Sequence, residues 1–184
     1  KPPSTDFVNQ AQIMNRIAIL GAGGMGTALA LLFHRSGRNV RLWSRSADHA
    51  SELTATRVNH SHLPEISIPE PILITADPAT AIADADLIVA AIPSLYLRAT
   101  LQSLASSIPR DVPFLSVIKG IENVTFERPS EIIVEIAGAR PVAVLSGPGH
   151  AEEIARGLPA SLVVAGGSDA LNRQVQDALS HETF

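Results

Sequence analysis

Seven short apolar runs punctuate the chain, at Ile17–Leu20, Val40–Trp43, Ile72–Thr75, Leu87–Ile92, Phe114–Ile118, Val142–Leu145 and Leu162–Ala165. Most lack the alternation of a strand with one wet face, which is the pattern of strands buried on both sides. Between them lie stretches with helical spacing. Met25, Ala28, Leu29, Leu32 and Phe33 fall on one stripe, and Gly37 follows where a helix C-cap belongs. Asp77-Pro78 and Ser94 read as the N-terminal caps of two more helices, and Ser168 starts a fourth whose body is Ala170–Ser180. Strands alternating with helices predict βαβ units, hence an α/β fold with a doubly wound, mostly parallel sheet and helices on both faces.

Patterned sequence begins at Met14. Residues 1–13 carry Pro2, Pro3, Ser4 and Thr5 without the apolar stretch of a signal peptide, so they read as a disordered leader or a cloning remnant. Residues 14–184 then form one domain. The last residues, His181-Glu182-Thr183-Phe184, stop where a helix wound onto a sheet ordinarily leads into another strand, and the chain reads as cut short.

Composition narrows the function classes. The 184 residues can hide about 70% of their unfolded surface. An apolar content of 46% with only 4% aromatics points to a core of Val, Ile, Leu and Ala. Net charge is −4 with no basic block, which argues against nucleic acid as a partner. With no cysteine there is no disulfide, thiolate zinc site or cysteine nucleophile. No apolar run approaches the ~20 residues needed to cross a bilayer, so no membrane insertion is expected and the chain reads as cytoplasmic.

The first apolar run leads directly into Gly21-Ala22-Gly23-Gly24-Met25-Gly26, a G-x-G-x-x-G that opens a helix. Strand, motif, amphipathic helix and second strand follow within about 30 residues, which is the context that turns a common glycine turn into a dinucleotide site. Gly21 makes the tight turn, Gly23 lets backbone approach a pyrophosphate, and Gly26 lets helix and strand pack closely. Amide N–H groups and the helix dipole attract the phosphates. An NAD site usually has an acid about 20 residues beyond the glycines. Here that stretch is Leu42-Trp43-Ser44-Arg45, with no acid before Asp48. Arg45 is placed for a charge-assisted contact to a 2′-phosphate, against the alternative of a solvated surface arginine. The expected cofactor is NADP or NAD, with NADP(H) favoured.

Ligands of a doubly wound sheet lie outside the carboxyl ends of its strands. Three such ends carry unusual residues: Pro93-Ser94, Lys119-Gly120, and the loop Ser146-Gly147-Pro148-Gly149-His150-Ala151. Lys119 is either a surface lysine closing a strand or a cation beside the nicotinamide.

The run from Met14 to Phe184 resembles the N-terminal domain of the bacterial NAD(P)-dependent glycerol-3-phosphate dehydrogenases. The matching segments are Gly21–Ala30 (GAGGMGTALA), Leu42–Arg45 (LWSR), Leu63-Pro64, Ile92–Ser94 (IPS), Lys119–Glu122 (KGIE) and Leu145–Ala151 (LSGPGHA). The resemblance implies a Rossmann-like NAD(P)-binding domain. It implies that Gly24, Met25, Arg45 and Ala151 contact the dinucleotide, beside Gly21, Gly23, Gly26, Pro93 and Ser94. Lys119 would touch cofactor and substrate as the catalytic residue of this half, with the backbone around Gly147 and Gly149 lining the substrate pocket. The family's proton-transferring lysine and phosphate-gripping arginine belong to an all-helical C-terminal catalytic domain, expected to be absent from this chain. Two departures stand out: Ile118 where the family usually has Thr, and Gly149-His150 where it usually has Ser or Thr followed by Phe.

The activity implied is interconversion of dihydroxyacetone phosphate and sn-glycerol 3-phosphate, feeding phospholipid synthesis and carbohydrate metabolism. The full-length enzyme is compatible with a homodimer, and the chain alone is expected to bind the dinucleotide without turnover. The rival readings are another NAD(P)-dependent hydroxy- or keto-acid dehydrogenase, and a non-catalytic NAD(P)-sensing module. A sensor has no need of Lys119 or the Ser146–Ala151 loop. His34, His49 and His181 fall on expected helix faces or the tail, while His60 and His62 sit in a loop without a third ligand, so no metal is expected. Ser94 and Ser146 lack a paired base for nucleophilic catalysis.

Overall fold

The computed structural model describes residues 14–180, so the readings of the leader 1–13 and of the tail 181–184 lie outside it. In chain order the elements are β1 (Arg16–Leu20), α1 (Gly24–Arg35), β2 (Asn39–Trp43), α2 (Ala47–Thr56), β3 (Val58–Asn59), β4 (Leu63–Ser67), β5 (Leu73–Thr75) and α3 (Pro78–Ile82). They continue with β6 (Leu87–Ala90), α4 (Ser94–Leu104), β7 (Phe114–Ser116), α5 (Pro129–Ala137), β8 (Val142–Ser146), α6 (Ala151–Arg156), β9 (Val163–Gly166) and α7 (Asp169–Leu179). Seven strands form one sheet in the order β5-β2-β1-β6-β7-β8-β9, parallel except for β9, which runs antiparallel to β8. The chain winds outward from β1 to β5, then returns to β6 on the other side of β1. That reversal opens a crevice above the carboxyl ends of β1 and β6.

Burial explains why the central strands are continuous apolar runs. In β1, Ile17 and Ile19 face one core layer with Ala28, Leu29 and Phe33 of α1. Ala18 and Leu20 face a second layer with Leu97 and Leu101 of α4 and Ile133 of α5. All four residues of β6 are wholly buried, so no polar position survives on either face. The two layers are the doubly wound architecture the pattern predicts.

Four features differ from the sequence reading. The runs Leu87–Ile92 and Phe114–Ile118 stop as strands at Ala90 and Ser116. Beyond the N–H bonds from Ala91 to Leu20 and from Val117 to Ala90, the chain peels off the sheet to wall the crevice. The run Leu162–Ala165 is not a buried strand: β9 is an edge, with Val163 65% exposed. Ser94 is the first residue of α4 rather than its cap. The cap is Pro93, whose extended backbone starts the helix without a side-chain acceptor. The fourth feature, the hairpin β3–β4, carries Pro64 and polar residues and shows no strand periodicity.

The caps at Asp77 and Ser168 form as expected, each side chain accepting from N–H groups of its first helical turn. At the opposite edge from the crevice, the Asp86 carboxylate accepts the N–H groups of Asn15 (3.0 Å) and Arg16 (2.9 Å) and the Arg16 guanidinium (2.8 Å). This staple holds the start of β1 to the start of β6.

Candidate dinucleotide cleft

Above the β1–β6 crevice lies a cleft of about 570 Å³. Its floor is the glycine loop. The Gly21 N–H donates to the Trp43 carbonyl (3.0 Å), and Gly21 has φ +116, in the region where L side chains are strained. A Cβ there would lie 2.5 Å from the Ala91 carbonyl oxygen, so only glycine lets β1 turn beside β6. A Cβ on Gly26 would collide with the Gly21 carbonyl oxygen, which locks α1 directly onto the turn. Helix α1 begins after Gly23 with no side-chain cap and no acid in its first turn. Its free N–H groups and positive dipole end therefore face the cleft unneutralised, a fit for an anion such as a pyrophosphate.

One wall is the carboxyl end of β2 and the start of α2. Ser44 is buried, with its hydroxyl 3.2 Å from Nδ1 of His49, and Trp43 is pinned by Nε1 donating to the Ala76 carbonyl (3.0 Å). Arg45 is exposed, its guanidinium stacked over the Tyr96 ring. Asp48 lies in the first turn of α2 and does not line the cleft, nor does any other carboxylate among the described residues. The opposite wall is built by Ile92, Pro93, Ser94 and Tyr96 before and within α4, and by Val117, Ile118 and Lys119 after β7. Lys119 is exposed and forms no ion pair among the described residues.

The structure thus brings Gly21, Gly23, Gly24, Met25, Arg45, Pro93, Ser94 and Lys119 to one cleft, with Gly26 packed behind it. Ala151, at the start of α6, borders the loop: a Cβ on Gly24 would sit 3.6 Å from the Ala151 Cβ. Gly147 and Gly149 are not in the lining. A Cβ on either would press on Leu162, at 2.9 Å and 3.0 Å, and Gly149 also meets Ile154.

Sequence reasoning passed over several lining residues. Ser44, Ser46 and His49 follow β2 around Arg45, and that place just beyond a strand's carboxyl end was the available signal. Tyr96 follows Ser94 by two residues and turns into the cleft. His62 lies in the exposed turn of the β3–β4 hairpin, as its loop position implies, and its ring also faces the glycine loop, 3.5 Å from where a Gly23 Cβ would stand. The hairpin carries it there. Asn59 in β3 is wholly buried, and its Nδ2 donates to the Ala22 carbonyl (3.0 Å) and the Thr27 hydroxyl (2.9 Å). That pair of bonds ties β3 to both sides of the glycine turn.

Comparison with known proteins is consistent across sequence and structure. The family model described as NAD-dependent glycerol-3-phosphate dehydrogenase N-terminus matches residues 16–172. Glycerol-3-phosphate dehydrogenase (NAD(P)+) of Corynebacterium diphtheriae is 42% identical over 171 residues, 92% of this chain and 52% of that protein. The enzyme of the same name from Bradyrhizobium diazoefficiens is 40% identical over 168 residues, 91% of this chain and 51% of that protein. The crystal structure of glycerol-3-phosphate dehydrogenase from Coxiella burnetii superposes with a TM-score of 0.88 at 31% identity, covering 94% of this chain and 53% of that one. The chain spans about half the length of the curated relatives it matches.

Proposed function

This chain belongs to the NAD-dependent glycerol-3-phosphate dehydrogenase family, matched as its N-terminal part, and we propose that it forms the dinucleotide-binding half of an enzyme interconverting dihydroxyacetone phosphate and sn-glycerol 3-phosphate. The observation that carries this is the meeting of three groups in one cleft: the open N-terminus of α1, Arg45 and Lys119. The glycine loop would hold the pyrophosphate through its amide N–H groups. Arg45 would read the 2′ position, and a cleft lined by no carboxylate among the described residues favours the extra phosphate of NADP(H) over the hydroxyl of NAD(H). Pro93 and Ser94, at the entrance to α4, would bound the nicotinamide end, and Ala151 would close the floor beside Gly24.

When bound, the nicotinamide supplies or accepts a hydride. Lys119 would orient the substrate oxygen and stabilise the charge that grows on it. The backbone around Gly147 and Gly149 would shape the substrate side. The proton and the grip on the substrate phosphate would come from an all-helical C-terminal catalytic half, so this chain alone would bind cofactor without turning over. The whole enzyme would work in the cytoplasm on a small-molecule substrate, with a homodimer as its expected assembly.

Titrating the 184-residue chain with NADPH and NADH, then assaying NADPH oxidation by dihydroxyacetone phosphate, tests both statements. Saturable NADPH binding without turnover is expected. Absence of binding to either dinucleotide removes the cleft assignment, and robust turnover removes the division of labour between halves.

A further inference from the structure

We propose that Arg98 is a positioning residue for Lys119, acting through Glu122; this rests on Lys119 facing the substrate, as proposed above. Lys119 stands on the segment linking β7 to α5, which pairs with no strand. Its last tie to the sheet upstream is at Val117 and Ile118, whose N–H groups reach the Ala90 carbonyl (3.1 Å) and the Ser116 hydroxyl (3.4 Å). At Gly120 the chain turns with φ +93 against α4, where a Cβ would stand 3.7 Å from the Ser94 hydroxyl oxygen. Two residues later comes Glu122, and there the segment is anchored.

The anchor is Arg98 on α4. Its Nε donates to both Glu122 carboxylate oxygens (2.9 Å and 3.0 Å) and its Nη2 to Glu122 (2.9 Å) and Glu127 (2.5 Å). Its Nη1 reaches Glu135 of α5 at 2.8 Å. Glu122 also accepts the Thr125 hydroxyl (2.5 Å), while its N–H donates to the Glu127 carbonyl and its carbonyl accepts the Phe126 N–H. One guanidinium thus gathers the whole return of the segment. The Arg98 hydrogen bond first, and that of Thr125 next, hold the Glu122 carboxyl below the usual glutamate range, so it stays ionised through neutral pH.

The chemistry of the cluster suits positioning better than stability. Partly exposed ion pairs contribute little to folding, and three carboxylates around one cation repel each other. What the planar fork provides is geometry: several fixed N–H directions that a lysine ammonium lacks. Because α4 also carries Ser94 at the cleft, Arg98 references Lys119 to the same helix that walls the cofactor site.

The test is a set of variants in the full-length protein that carries this chain, assayed with dihydroxyacetone phosphate and NADPH. Arg98→Met and Glu122→Gln should each lower kcat/KM for dihydroxyacetone phosphate by roughly 10–100-fold, as misplacement of a reacting group by about 1 Å does. NADPH affinity should stay within about threefold, and Arg98→Lys should recover part of the loss. Added to Lys119→Ala, Arg98→Met should cost nothing further, because the two act on one step. Additive losses, an unchanged kcat/KM, or a loss that follows NADPH affinity overturns the proposal. If Arg98→Met fails to fold, Glu122→Gln and Arg98→Lys decide it alone. Should Lys119→Ala itself leave turnover intact, the reading of Lys119 is wrong; should it cripple turnover while Glu122→Gln and Arg98→Met do not, only the positioning role is wrong.

Discussion

The guanidinium carbon of Arg45 lies 5.4 Å from the centroid of the Tyr96 ring, joining the end of β2 to the first turn of α4 across the mouth of the cleft. An exposed contact of this kind is worth about 0.5–1 kcal/mol, enough to bias where the arginine points. Arg45 is therefore held near the cleft by a residue from the opposite wall.

Arg45→Asp should weaken NADPH binding about tenfold or more, because a charged hydrogen bond worth roughly 1.5–3 kcal/mol is lost and a carboxylate repels the 2′-phosphate. NADH should suffer less. Tyr96→Ala should weaken NADPH by only about two- to fivefold, in line with its stacking contribution. Titration calorimetry with both dinucleotides reads the result; equal losses for NADPH and NADH in Arg45→Asp mean that Arg45 does not read the 2′ position.

Lys119→Ala in the full-length protein should lower kcat/KM for dihydroxyacetone phosphate about a hundredfold or more, the scale for a group aimed at developing charge. Its side chain is exposed and unpaired among the described residues, so the melting temperature should barely move. Turnover surviving within about threefold would make it a surface lysine.

Gly26→Ala should damage fold and site together. The added methyl has a backbone carbonyl, that of Gly21, in its way, and backbone gives less readily than a flexible side chain. A cost of about 1–3 kcal/mol in urea unfolding is expected for such overpacking, with dinucleotide affinity falling in parallel. An alanine variant with unchanged unfolding midpoint and affinity would falsify the close-packing account of this turn.

Acid should release the Asp86 staple. Partial burial pushes this carboxyl up, but the Arg16 side-chain hydrogen bond, the N–H groups of Arg16 and Asn15, and the Arg16 charge together leave it below the usual aspartate range. The folded state therefore binds fewer protons there than the unfolded chain. Its stabilisation is present above the unfolded value of about 3.9 and is lost as pH falls through the lower folded value. Asp86→Asn should lower the unfolding midpoint at neutral pH, and the gap from the parent should close only below about pH 4. A gap that stays constant through that range means the carboxylate charge contributes nothing.

Much of the molecule was legible along the chain because its signals are local. All seven apolar runs became strands of the main sheet, and the central ones are apolar throughout because a strand covered on both faces has no room for polar positions. The glycine spacing was equally readable, each glycine answering to a steric demand within one turn. Strand ends, the exposure of β9 and the β3–β4 hairpin were not, because they depend on which neighbour is present or missing at each sheet edge. The cleft follows the same division. Gly21 and Gly26, Arg45 and Lys119 announce themselves by position after a strand, whereas His62 reaches the glycine loop only because buried Asn59 bonds Ala22 and Thr27 across more than thirty residues of chain. Tyr96 beneath Arg45 and Arg98 beneath Glu122 are likewise pairings of side chains distant in sequence. Periodicity and steric necessity wrote the sheet and the phosphate cradle into the sequence; which side chains close around them was decided by the winding of the sheet, which alone brings the ends of β2, α4 and β7 together.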